Sequence, residues 1–484
     1  MSADAGNIVK TRIPSRLDRL PWSRWHWMII IGLGTVWILD GLEVTIVGAI
    51  GARLTDPDAL GLSDSQVTWA GAIYVMGACI GALFWGYLTD RFGRKKLFII
   101  TLGVYLVATV ATAFTWSFAT FAIARFFTGF GVGGEYAAIN SAIDELIPAE
   151  HRGRVDLSVN GTYWLGATFG FAGSLLVLDS GIFPVDLGWR LAFGFGALMG
   201  VMILVVRRHV PESPRWLVIH GREREAERLV DDIEQRVSAT EGDLPEPEGD
   251  PIEIEQRKAT GFGEIARTVF GRYPRRAFLS FTLLATQAFL YNAVLFSSTL
   301  IITDRFDISD AAAPAYLIPW GIANFLGAVL LARLFDTIGR KPMIAGCYAS
   351  SALLLALLAI LVGAGSIGIW GYIGLLSAAF FIASAAASAG YLTVSEVFPM
   401  ETRAMAIAFF YAISTGIGGT VGPIVFGSLL GTEASGVRTG FLIAAALMLF
   451  AAVVEAIWGV AAEGEQLEDI AEPLSAEAAE SGAA

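Results

Sequence analysis

Twelve runs of twenty or more mostly apolar residues recur along this 484-residue chain, and they limit its possible folds more than any other feature. They lie at about 26–50, 66–89, 97–117, 119–141, 155–178, 189–209, 277–303, 313–335, 343–363, 367–391, 403–430 and 437–461. A helix rises ~1.5 Å per residue, so a run of this length crosses a hydrocarbon layer of roughly 30 Å. Backbone N–H and C=O groups find no water inside that layer, and a helix satisfies them within the run itself. Charged residues supply only 16% of the chain, against about 25% in soluble domains. That is too little to clothe the several soluble domains this length would otherwise suggest. The expected fold class is an all-α membrane protein with twelve transmembrane helices.

Orientation follows from Lys and Arg, which concentrate in cytoplasmic loops. The N-terminal segment carries Lys10, Arg12, Arg16, Arg19 and Arg24. Basic clusters recur in "DRFGRKK" (90–96), "EHRGR" (150–154), the 210–276 loop and "GRKP" (339–342). The alternate loops hold only Arg53, Arg190, Arg305 and Arg438. Both termini are therefore expected in the cytoplasm, and the chain in the plasma (inner) membrane. The first apolar run is too long for a signal-peptide core and lacks a small-residue cleavage site, so the basic segment is read as retained. The net charge of −12 resides largely in "EGDLPEPEGDPIEIE" (241–255) and in the tail beyond Ala462. Both read as solvated, disordered acidic segments, a balance that argues against a nucleic-acid partner. Cys79 and Cys347 fall inside apolar runs and read as packing residues, with no metal-ligand spacing around them.

The chain is internally duplicated. "GYLTDRFGRKK" (86–96) follows the second run and "ARLFDTIGRKP" (332–342) the eighth, with Asp90 and Asp336 246 residues apart. "ELIPAEHR" (145–152) follows the fourth run and "EVFPMETR" (396–403) the tenth, both fitting E-x-x-P-x-x-x-R at a spacing of 251. Two unrelated motifs at nearly one offset imply two six-helix halves in parallel orientation, with solute sites near the midplane between them. The predicted organisation is a tail (1–25), a first bundle (26–209), an inter-bundle loop (210–276), a second bundle (277–461) and an acidic tail (462–484).

At these residues the chain resembles the major facilitator superfamily over almost its whole length, with the sugar-porter and organic-solute branches nearest. "GYLTDRFGRKK" is similar to that superfamily's signature between helices two and three. "PESPRWL" (211–217) is similar to the sugar-porter segment after helix six. "QAFLYNAVLFSST" (287–299) resembles their helix seven, with Gln287 and Asn292 at matching spacing, and "GIANF" (321–325) places Asn324 on an asparagine of helix eight. Helix ten departs from the pattern: it reads "AGYLTVSEVFP" (389–399) where sugar porters carry Pro-Ile-Pro-Trp. "DGLE" and "GGEY" look more like organic-acid, organic-ion and synaptic-vesicle relatives. The resemblance implies the superfamily's two pseudo-symmetric bundles and a transport function.

A charge near the bilayer centre costs at least ~2.5–3.5 kcal/mol, so each intramembrane charge needs a reason. Asp40 and Glu43 in "WILDGLEVTIVG" are three apart, on one helical face and roughly 4.5 Å apart in rise. The fourth run supplies Arg125 and Glu135. Counted from the outer ends, Glu43 and Arg125 both lie about 10 Å deep, so they meet if their helices are neighbours. By the resemblance, Glu43 falls on the helix-one acid of proton-coupled sugar porters and Arg125 on their helix-four arginine. Proton coupling and a static buried pair both remain open. Asp40 and Glu135 are candidates for further proton sites or for contacts to a cationic or zwitterionic solute. Glu455 is expected to be peripheral or structural. The same fourth run contains a literal G-x-G-x-x-G at Gly129, Gly131 and Gly134. A nucleotide turn needs a strand before those glycines, and an apolar helix surrounds them instead. The spacing Gly129-x-x-x-Gly133 points to close helix packing.

Candidate solute contacts are Asn160, Tyr163 and Trp164 in the fifth run, Gln287, Tyr291 and Asn292 in the seventh, and Asn324 in the eighth, with interhelical hydrogen bonding as the alternative for each. Asp90, Arg91, Arg94, Glu145 and Arg152, with Asp336, Arg340, Glu396 and Arg403 of the second half, are expected to lock the cytoplasmic face. No nucleophile–base set, metal spacing or nucleotide loop is present, so no enzyme, cofactor or metal is expected. The expected function is alternating-access transport of a small organic solute (organic acid, organic ion or sugar-like) by a monomer in the lipid bilayer, coupled to protons. A non-transporting sensor or scaffold and a facilitative uniporter are the alternatives.

Overall fold

The computed structural model describes residues 8–177, 179, 181–207, 211–247, 251–255, 266–308, 312–399, 402–430 and 433–472. Long helices dominate: α2 (Arg24–Leu54), α3 (Asp64–Phe92), α4 (Arg94–Ala113), α5 (Phe118–Leu146), α6 (Ala149–Val177) and α7 (Val185–Arg207) in the first part. The second part holds α10 (Pro274–Phe306), α11 (Ala313–Thr337), α12 (Arg340–Gly363), α13 (Ile369–Glu396), α14 (Arg403–Leu430) and α15 (Glu433–Trp458). Nine of them are long and apolar enough to cross a membrane among the described residues. Local chemistry sets their ends. Ser63 and Ser117 cap α3 and α5 by accepting the backbone N–H of Gln66 and Thr120, which satisfies donors a helix start leaves open. Pro274 opens α10, where its missing N–H costs nothing.

Burial is inverted relative to a water-soluble protein. Val107, Leu353 and Ile424 are 72%, 71% and 64% exposed on the outside, while Asp40, Glu43, Arg125 and Glu135 are buried at 1–2%. That distribution is stable when lipid covers the outer face. The duplication read from the motifs recurs in the packing. In the first half α2 packs on α6, α3 on α5 and α4 on α7; in the second, α10 packs on α14, α11 on α13 and α12 on α15. Between halves the main seams are α6 on α11 and α3 on α14, again related by the repeat.

Glycine lets several of these seams close backbone to backbone. A Cβ on Gly129 or Gly133 of α5 would collide with the carbonyl oxygens of Tyr74 or Ala78 on α3, and one on Gly77 or Gly81 with those of Phe126 or Phe130. The G-x-G-x-x-G string thus sits inside a continuous helix, on a backbone-to-backbone contact.

Two acidic segments read as disordered are in part ordered. Ile252–Glu255 forms β2, which pairs antiparallel with β1 (Ile8–Thr11) in the register Ile8↔Glu255 to Thr11↔Ile252. The alternation Ile-Glu-Ile-Glu carries the two-residue period of a strand, which the high charge of its surroundings obscures. Beyond Ala462, a short helix α16 (Leu467–Ile470) packs with Leu467 and Glu468 buried. The inter-bundle region also holds α8 (Pro214–Ile219) and α9 (Glu223–Glu241). Helix α9 buries Ala226, Val230, Ile233 and Val237, one stripe at helical spacing. Against it lies α1 (Ile13–Asp18) from the N-terminal segment, its Ile13 and Leu17 buried.

Candidate transport site and gate

Helices α2 and α5 carry the buried charges to one place. Arg125 Nη1 donates to Glu43 Oε1 at 2.5 Å, and the two side chains are 1% and 3% exposed. Thr109 of α4 donates to the other Glu43 oxygen at 3.4 Å. The Arg125 guanidinium also lies over the rings of Tyr74 (4.6 Å) and Phe193 (5.5 Å). Those contacts are cation–π in character and stabilise a charge that is buried from the surface. Asp40, one turn from Glu43, lies within electrostatic reach of both Glu43 and Glu135. Among the described residues, three buried acids, Asp40, Glu43 and Glu135, thus lie near Arg125.

An aromatic group joins the halves beside these acids. Trp37 of α2 meets Tyr163 of α6 at 6.3 Å and Tyr391 of α13 at 6.1 Å, both edge-on. Tyr163, Gln287 and Asn292 are half-buried. Asn292 and Asn160 each donate to a carbonyl one turn back on their own helix, Ala288 at 2.8 Å and Asp156 at 2.9 Å. Each thereby keeps its amide oxygen as an acceptor. Three other predicted contacts are packed differently. Tyr291 donates to Asn324 Oδ1 at 2.9 Å, and Asn324 donates to the Trp320 carbonyl at 2.9 Å. Trp164 stacks into the same cluster, 5.0 Å from Tyr291 and 4.9 Å from Trp320. Tyr291 and Asn324 are thus hydrogen-bonded to each other, with Trp164 packed against the same cluster. Glu455 is buried on α15, and neither of its oxygens accepts a hydrogen bond among the described residues.

At the bundle end bearing α1, α8 and α9, charges cross between halves. Arg152 of α6 lies 3.9 Å from Glu396 of α13, and the Arg154 backbone N–H donates to Asp336 of α11 at 2.8 Å. Arg340 braces both acids, reaching Asp336 at 2.6 Å and Glu396 at 3.1 Å. Arg403 is buried and donates to the Phe398 carbonyl at 3.4 Å. Glu145 accepts from the Ser213 hydroxyl within its own half, and Arg91 is exposed. The side chains of Asp90 and Arg94 lie outside the described residues.

Sequence reasoning missed several members of this network. Arg215 pairs with Glu468 at 3.0 Å, joining the segment after α7 to the segment after α15. Glu212 accepts the Lys95 backbone N–H at 3.3 Å beside Gly93 (φ 94°), and Glu463 accepts that of Arg340 at 3.1 Å beside Gly339 (φ 113°). Both turns need a positive φ, which glycine adopts without a Cβ penalty. Glu212 and Glu463 are 251 residues apart, the offset of the E-x-x-P-x-x-x-R motif, so the repeat itself was the available signal.

The pattern of a family described as "Sugar (and other) transporter" matches residues 23–474. The niacin transporter NiaP of Acinetobacter baylyi is 28% identical over 460 residues, covering 94% of this chain and 99% of the relative. A D-xylose transporter of Levilactobacillus brevis is 27% identical over 384 residues, 78% of this chain and 80% of that one. Among solved structures, the major facilitator superfamily proton:xylose symporter XylE bound to 6-bromo-6-deoxy-D-glucose superposes with a TM-score of 0.75. It is 20% identical, and the match covers 92% of this chain and 98% of that one.

Proposed function

The chain belongs to the sugar (and other) transporter family of the major facilitator superfamily, and from that premise we propose that it is a proton symporter for a small organic solute. It is a transporter rather than an enzyme. We place twelve helices across the bilayer, α5, α6 and α7 joining the nine apolar ones, with the end bearing α1 in the cytoplasm as the Lys/Arg bias requires.

The observation that carries the coupling is the buried 2.5 Å contact between Glu43 and Arg125. A proton entering from outside neutralises Glu43 and removes the anion that Arg125 faces. The guanidinium then gains by moving toward another acceptor, which favours a different packing of α2 against α5. Loss of the proton to the cytoplasm restores the pair. Each protonation state thus favours one arrangement, which is the minimum a coupled carrier needs.

The solute is read from what lines the seam. Asn160, Gln287 and Asn292 offer amides that suit hydroxyls and carboxylates alike. Trp37, Tyr163 and Tyr391 offer ring faces from both halves, which supports a ring-bearing solute, a class that takes in niacin and the sugars of the named relatives. In proteoliposomes an inward proton gradient should drive accumulation, and Glu43→Gln should abolish it while leaving solute exchange at equal concentrations intact. Gradient-driven accumulation surviving in Glu43→Gln would remove Glu43 as the coupling acid.

A further inference from the structure

The N-terminal segment ends in a carboxylate that reaches the gate. Asp18 Oδ1 accepts the Ala149 backbone N–H at the start of α6 at 3.2 Å and lies 3.5 Å from Arg152 Nη2. Its other oxygen lies 3.6 Å from Arg215 Nη2. The segment is anchored independently of Asp18. Arg16 reaches Glu227, Asp231 and Glu234 on α9 at 2.5–2.6 Å, Arg19 reaches Glu234 at 2.6 Å, and β1 pairs with β2. Every one of these anchors belongs to the first half or to the region following it. The segment therefore travels with the first half.

Arg152 and Arg215 are the same two guanidinium groups that hold the second half, through Glu396 at 3.9 Å and Glu468 at 3.0 Å. Parting the halves takes both acids away from two buried arginines, a costly change. Asp18 stays behind. Burial, the largest influence on its carboxyl, raises its pKa, and Arg215 and Arg152 oppose that rise. For Glu468 burial again pushes upward but is outweighed by Arg215, Arg403 and Arg152, so its pKa is lowered. Distance agrees: Glu468 lies 3.0 Å from Arg215, whereas Asp18 stands 3.5–3.6 Å from Arg152 and Arg215 as the looser second contact.

We propose that Asp18 is a standby anion for Arg152 and Arg215, a positioning residue that lowers the cost of separating the halves and so makes the cytoplasmic gate openable. Its removal tightens the gate, whereas removal of Glu468 loosens it. The inference rests on the alternating-access reading above, and its test separates the two. Spin labels at Lys96→Cys and Thr337→Cys, exposed on opposite halves at this end, report the gap in the full chain with Cys79 and Cys347 replaced by Ala. Asp18→Asn keeps the size of the side chain and an oxygen for Ala149, so the segment stays docked. Its long-distance population should fall about threefold or more, as for loss of one partly buried charge contact. Glu468→Gln should raise that population, and Asp18→Glu should retain the wild-type distribution. An Asp18→Asn distribution that is unchanged or opened, with Glu468→Gln still opening the gap, overturns the assignment of Asp18 alone. A gap that no variant moves overturns alternating access at this face and the proposal with it.

Discussion

At the scale of single residues, chemistry was legible where partners were not. Glu43 and Arg125 announced themselves because a charge inside an apolar run is costly, and equal depth on two helices made them plausible partners. Asp18 did not stand out, because an acid in a segment with five basic residues has local partners of opposite charge at hand. Its role depends on Ala149, Arg152 and Arg215, far away in sequence. For Tyr291 and Asn324 the sequence leaves solute contact and interhelical hydrogen bonding both open, and here Tyr291 donates to Asn324 while Asn324 donates to the Trp320 carbonyl. Tyr291→Phe should therefore lower thermal stability, by about 1–3 kcal/mol for an orphaned buried acceptor, and leave the KM for uptake near wild type. A large rise in KM with unchanged stability would return Tyr291 to the solute site. Arg125→Lys keeps the charge but loses the planar fork and its stacking on Tyr74 and Phe193, so proton-driven uptake should drop about tenfold or more. Uptake close to wild type would show that charge alone suffices.

At the scale of elements, the bilayer did most of the specifying. A span must be helical and of a certain length, so apolar runs located the long helices to within a few residues. Outside the bilayer that constraint lapses. Strands β1 and β2 are four residues each and are separated by a long stretch of chain, so their pairing leaves little local trace. Helix α9 was recoverable in principle from its stripe of Ala226, Val230, Ile233 and Val237, hidden by the overall charge of the loop. The glycine seam between α3 and α5 permits a sharp comparison. Gly133→Leu meets the Ala78 backbone and should destabilise the protein by about 3 kcal/mol. Gly346→Ala, with nothing within 4 Å of the added Cβ, should be neutral or slightly stabilising through helix propensity. Thermal unfolding of the two variants in detergent checks both, and equal melting points would argue against a tight α3–α5 contact.

At the scale of the whole molecule, helices pack closely both within the halves and across the seam between them, where α6 lies on α11 and α3 on α14. Within each half, helix pairs touch backbone to backbone. At the end bearing α1, the contacts between halves include Arg152 to Glu396, Arg215 to Glu468 and the Arg154 amide to Asp336, polar pairings between segments rather than backbone bonds within a helix. Arg152→Gln should slow the transport cycle while equilibrium solute binding changes by less than about threefold, the latitude of a contact remote from the solute. Lost binding with normal conformational exchange would instead move Arg152 into the solute site. The helical, transporter-like fold is legible in the apolar runs and repeated motifs, whereas pairings such as Arg215 to Glu468 depend on how distant segments meet, which no local pattern encodes. One detail reaches into practical handling of the protein. Because Glu463 holds the turn at Gly339 and Glu468 holds Arg215, the last stretch of chain is a working part up to about residue 470. A fluorescent reporter or purification handle belongs after residue 484, and one spliced on at 462 would cut the mooring between the end of the chain and both of its halves.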